Sequence, residues 1–244
     1  MPRGLLKDQI GFAITAQTWF SNQLIELLED FSIIQFQGFK MEENKTPSKS
    51  GKHVEPLVKC LKTENPSVPD KIIEQFSLIW DHEEADNLDA TEQRLFIIAL
   101  FIYTAHLQLE AVNIKMDQAR SEILDALTKW TSPEMDKAIK LEKASDNPFK
   151  KFVETEAERF DKFYEWDYFL PDTLKTSDKE WTVKMQKCYF CQFLIRFGRT
   201  DFMLTACAFD QIAAEKRSDY VNLKLTNLFP KWGSSCTFQF SPKS

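Results

Sequence analysis

The chain is poor in residues that break regular structure: its 244 positions hold only six glycines and ten prolines. That scarcity argues against a turn-rich all-β protein and against a disordered one. Long uncharged apolar runs are also missing. No stretch reaches the 18 uncharged apolar residues that mark a transmembrane helix, and Lys7 and Asp8 interrupt any secretory core near the N-terminus. The five cysteines (Cys60, Cys188, Cys191, Cys207 and Cys236) are few and odd in number, which favours free thiols in a reducing compartment over a disulfide framework. Catalytic signatures are absent as well. There is no Gly-x-Ser-x-Gly, no phosphate-binding loop and no glycine-rich dinucleotide turn, and no motif surrounds any of the three histidines. On those absences the chain is expected to be no enzyme, with no cofactor and no metal.

What is present is a globular composition, 43% apolar with 21 phenylalanines, enough to bury a sizeable core. The net charge of −6 is unevenly spread. Residues 182–244 hold nine Lys and Arg against four Asp and Glu, whereas residues 1–181 hold 22 against 33. A basic C-terminal quarter permits contact with an anion such as a nucleic-acid backbone without requiring one.

Periodicity predicts helices over 12–31, 55–62 and 69–80, with 32–39 extended and 40–53 a polar loop. Asp89 and Glu92 stand at capping-box spacing ahead of a long helix over 90–129, whose centre "LFIIALFIYTAHL" is apolar on all sides. Further helices are expected at 133–144, 148–169, 178–197 and 199–216. A last one, capped by Asp219, would end before Pro230. The tail 236–240 alternates and could pair with 32–39 as a ribbon. The fold class is therefore mainly α: a single helical domain, undivided or bilobal about a long central helix, with at most a small β-ribbon. Its parts are an N-terminal helical region over 1–69, a core over 70–229 and a tail over 230–244.

Several clusters invite chemistry and are read more plainly. Cys188 and Cys191 have zinc or redox spacing, but thiols one helical turn apart also suit packing. His82 lies in the acidic turn "DHEEAD", read as a solvated connector rather than a cation site. His106 is read as a core histidine, and His53 falls in the polar loop. The aromatic run "FDKFYEWDYFL", 160–170, suits core packing or a protein-docking face as well as base stacking.

Asp210 poses the sharpest question, a carboxylate wedged in the apolar run "TACAFDQI". A buried carboxylate needs a cation or hydrogen bonds. Arg199 lies eleven residues earlier, roughly 16 Å along a continuous helix, too far for a direct pair. Arg196 or Arg199 could reach Asp210 only if Gly198 turns the chain back; otherwise the partner comes from elsewhere.

"TDFMLTACAFD", 200–210, resembles the Ala-Phe-Asp block that closes the core of coat proteins of flexuous filamentous RNA viruses, of the potyvirus and closterovirus kind. "QFSLIWDHEEADNLDATEQRLFII", 75–98, resembles that core's opening, and the two blocks come in the family's order. The chain departs from the family at "HLQLEAVN", 106–113, where the family has a Ser-containing turn. The resemblance implies a capsid or nucleocapsid-like protein that self-assembles into filaments around single-stranded RNA, located in the virion and host cytoplasm. It also implies an RNA-binding groove holding Asp210 with Arg196 or Arg199. Lys184 and Lys187 are further candidates for phosphate contact. The alternative is an intracellular, cytoplasmic helical interaction module with an aromatic face near Phe160–Leu170. A divalent-cation enzyme at the acidic turn is a third reading.

Overall fold

The computed structural model describes residues 49–231 and 233–243. The expected helix at 12–31 and the strand at 32–39 lie outside them, as does most of the loop at 40–53. The described chain is mainly α with a small antiparallel sheet, as its composition and periodicity predict.

The helices are α1 (Glu55–Val58), α2 (Ser67–His82), α3 (Ala90–Ala111), α4 (Met116–Lys143), α5 (Pro148–Phe163) and α6 (Trp166–Phe169). After the hairpin β1 (Pro171–Ser177) and β2 (Glu180–Met185) come α7 (Tyr189–Arg196), α8 (Met203–Phe209) and α9 (Ile212–Glu215). The strands β3 (Val221–Thr226) and β4 (Cys236–Pro242) complete the sheet, whose order is β1-β2-β4-β3.

Asp89 caps α3 as its spacing predicts, its carboxylate accepting from the backbone N–H of Thr91 at 2.8 Å and of Glu92 at 2.9 Å. By length and composition α3 is apolar enough to cross a membrane, but in the fold α2, α4 and α7 pack around it. Leu95, Phe96, Ile98, Leu100 and Phe101, spread over its faces, are buried. The expected 90–129 helix is two helices. Asn113 takes a left-handed φ of 62°, which an asparagine tolerates better than most residues, and the chain turns there to start α4. Conversely, α4 runs on through Pro133, where a break was expected. Pro133 has no N–H to donate. Hydroxyls beside it bond back to carbonyls one turn earlier: Thr131 to Leu127 at 2.8 Å and Ser132 to Thr128 at 2.6 Å.

The largest difference is in the last third of the chain. The helix expected at 178–197 is β2 followed by α7, and the helix expected after Asp219 is β3. In "EWTVKM" the buried Trp181, Val183 and Met185 alternate, which is strand period. The tail 236–240 pairs as a strand with β2 and β3: Trp181 faces Phe240, and Leu225 faces Phe238. Helix α5 lies against this sheet. Phe160 meets Trp181 at 5.1 Å and Phe238 at 6.0 Å between ring centroids, while Phe152 meets Phe240 at 5.5 Å.

Candidate active site

Between α3, α4, α5, the end of α8 and β4 lies a cavity of about 280 Å³. Its position follows from the packing. Helix α5 presents Phe152, Glu156 and Phe160 along one face at helical spacing, Tyr164 follows at its C-terminal cap, and β4 presents Phe238 and Phe240 on alternate positions.

Asp210 lines this cavity, at the residue where α8 stops. The Tyr164 hydroxyl donates to its Oδ1 at 2.7 Å, and no Lys, Arg or His pairs with it among the described residues. The residue as a whole is half-buried. Burial pushes its carboxyl up to about 7, and the Tyr164 hydrogen bond pulls the other way. The same burial, with Asp210 beside it, holds the Tyr164 phenol well above its ordinary value. The carboxyl is thus poised to exchange a proton near neutrality, and the phenol stays protonated to orient it.

One lining residue, Glu156, joins a buried ion network. Arg217, 0% exposed, makes a fork to Glu142, also 0% exposed, with Nε–Oε2 at 2.7 Å and Nη2–Oε1 at 2.9 Å. It also reaches Glu156 Oε2 at 3.4 Å and donates to the Ala213 carbonyl at 2.8 Å. The Tyr220 hydroxyl completes the set with a short bond to Glu142. The Glu156 carboxylate, shared between Arg217 and Arg159, is therefore held at the cavity wall with its charge compensated.

The sequence-predicted cations do not join Asp210. Gly198 does turn the chain, with φ of 68°, but Arg199 folds onto Glu110 at 2.8 Å and Asp201 at 2.7 Å, its guanidinium 3.6 Å from the Phe202 ring centroid. Arg196 pairs with Glu83. Lys187 donates to the Asp167 carbonyl at 2.7 Å, and Lys184 lies in β2 between Asp172 and Thr237 on the neighbouring strands. The aromatics of the run 160–170 are largely interior: Phe160, Tyr164 and Phe169 are buried, and of these rings only that of Trp166 is widely exposed.

His106 is buried and neutral. Its Nε2 lies 2.7 Å from Thr205 Oγ1, its ring stacks on Phe202, and burial pushes it down to about 4. All five cysteines are free. Cys188 and Cys207 close on Cys191 and, with burial, push its thiol far up. Among the described residues no group of three or more His, Cys, Asp or Glu side chains is arranged to hold a metal ion.

Periodicity places Tyr164, Glu156 and Arg94 on helices but carries no sign that they face one cavity. The Glu142–Arg217 pair spans 75 residues, beyond the reach of any local motif.

Fold and site together define a mainly helical protein with a small antiparallel sheet, enclosing an aromatic cavity that contains a near-neutral carboxyl. The chain belongs to the L-2-amino-thiazoline-4-carboxylic acid hydrolase family, whose model matches residues 93–240. Every residue that lines the cavity falls inside that match. No curated protein matches the chain. Among solved structures, an unliganded Fe(II) H-NOX protein from K. algicida is 10% identical, with a TM-score of 0.35, over 80% of this chain and 97% of that one. A mutant of the same protein gives 0.34 at the same identity and coverage. Scores this low carry no argument about function.

The family overturns the viral coat reading, and with it the filament, the virion and the RNA groove. The block at 200–210 that suggested them is a 3-10 turn, Thr200–Phe202, running into α8, with Asp210 just past its end. The expectation of no enzyme is overturned too, because the family is named for a hydrolase. The interaction-module reading finds no support either: the face it relied on is packed into the core.

Proposed function

We propose that the chain is a hydrolase that adds water to an electron-poor carbon bonded to nitrogen, in a small molecule held in the cavity, with Asp210 as general base. The observation that carries this is the Asp210 carboxyl itself: it lines the cavity, has no cationic partner among the described residues, and is pushed up to about 7. A carboxylate paired with arginine would be a poor base; a desolvated one is a competent base at neutral pH.

In the compound that names the family, the ring carbon bearing the amino group also bonds ring nitrogen and sulfur. As water's oxygen bonds to that carbon, the carbon–nitrogen π pair moves onto the nitrogen, which takes a proton from solvent. One of water's protons passes to Asp210; the other is lost to solvent when the carbonyl forms. One ring bond from that carbon to a heteroatom then breaks, and Asp210 returns the proton to the leaving atom. Tyr164 donates to Asp210 throughout and fixes the direction of its free oxygen.

The test is ring opening of L-2-amino-thiazoline-4-carboxylic acid by the purified full chain, followed by NMR. Asp210→Asn should lower turnover by about 100-fold or more without lowering the melting temperature. Unchanged turnover in that variant would end the assignment. The rate should fall below about pH 7 as Asp210 takes a proton. Tyr164→Phe removes the hydrogen bond that lowers the carboxyl, so the falling limb should move to higher pH.

A further inference from the structure

The cavity is roomier and more apolar than a single small heterocycle needs. Its volume is about 280 Å³, at the small end of the roughly 300–1,000 Å³ of pockets that take drug-sized ligands. One five-membered ring with its amino and carboxyl groups is smaller than such a ligand and would leave part of it empty. The walls that would border this excess are Trp130, Met135, Phe152, Phe209, Phe238 and Phe240, a lining that favours an apolar or aromatic body.

Three exposed cations, Arg94, Arg159 and Lys162, also line the cavity and so mark its mouth. Two are committed: Arg159 Nε pairs with Glu156 at 3.4 Å, and Lys162 with Glu158 at 2.7 Å. Arg94 is different. It donates once to the Lys162 carbonyl at 2.9 Å, lies 5.4 Å over the Phe163 ring and meets no carboxylate among the described residues. Its remaining donors have the planar fork that suits a carboxylate. Glu134 and Asp210 on the same lining disfavour an anion beside them, which among the described lining residues leaves Arg94 as the cation free to receive a negative group.

We propose that this chain's substrate is a carboxylate with a bulky apolar or aromatic body, anchored by Arg94, and not the bare thiazoline ring. Calling the ligand a substrate rests on the hydrolase reading; the recognition itself does not. Calorimetric titration of the full chain with hydrocinnamate, with the corresponding alcohol and with the thiazoline carboxylate tests it without turnover. Hydrocinnamate should bind about tenfold tighter than the ring. Arg94→Met should cost hydrocinnamate about tenfold and leave the alcohol unchanged. Ala213→Leu, which takes up room in the cavity, should weaken hydrocinnamate and spare the ring. Melting temperatures confirm that each variant is folded, and Arg94 is exposed enough to be replaced safely. A ring that binds as tightly as hydrocinnamate overturns the proposal, and so does an Arg94→Met variant that weakens acid and alcohol alike. If the ring is opened but hydrocinnamate does not bind, this inference falls and the hydrolase reading stands. If hydrocinnamate binds as expected but Asp210→Asn leaves turnover intact, the reverse holds.

Discussion

At the scale of single residues, a buried acid and a half-buried one are handled in opposite ways. Glu142 is given a full fork from Arg217, whereas Asp210 is given one phenol and an apolar wall. Removing one member of a buried pair leaves the other charge stranded. Arg217→Met should therefore cost about 3–5 kcal/mol in urea unfolding, and Arg217→Met with Glu142→Met should recover most of it. Asp210 has its own pH signature. Its folded value, about 7, lies above its ordinary 3.8, so between those values the folded state holds a proton that the unfolded chain has lost. Stability should fall as pH rises through that window, with a slope of at most about 1.4 kcal/mol per pH unit, and level off above it. Asp210→Asn should remove this component, a difference that urea titrations at pH 5 and pH 8 would expose. The oddness of Asp210 was legible in the sequence, an acid inside "TACAFDQI". Its partner was not. Reasoning along the chain looks to nearby cations, Arg196 and Arg199, while the fold sends those to Glu83 and Glu110 and brings Tyr164 from 46 residues away.

At the scale of elements, local signals worked where they were local. The Asp89 cap, the all-round apolar α3 and the stop at Gly198 each depend on neighbours within a turn or two. Helix α5 shows how such a signal bears on the site. Asn147 caps it by accepting from the Lys150 N–H at 3.0 Å, with Pro148 at its first position. Asn147→Ala should cost about 1 kcal/mol, read as a lower melting temperature. Turnover below the melting range should persist, because Glu156, Phe160 and Tyr164 sit beyond the first turn. Strands were harder to read. "EWTVKM" is short, and its flanks carry enough apolar residues to satisfy a helical template as well. What selects the strand is the partner: Trp181 and Val183 lie opposite Phe240 and Phe238, more than fifty residues later.

At the scale of the whole molecule, β4 ties the described chain together. It lies between β2 and β3, and its Phe238 and Phe240 face both α5 and the cavity. A chain ended after Ser235 should lose one of the sheet's two inner strands and part of the cavity wall together. We expect loss of the cooperative unfolding transition and of near-ultraviolet circular dichroism; a cooperatively folding truncated chain would show that the sheet is dispensable.

The sequence by itself determined the class of fold: few glycines and prolines, abundant phenylalanine and long 3.6-residue periodicity leave little but a mainly helical core. Tertiary structure decided the site. A cavity is a product of long-range packing, and so is a carboxyl pushed up to about 7. Both depend on which side chains from distant segments exclude water from one another, and no spacing along the chain records that.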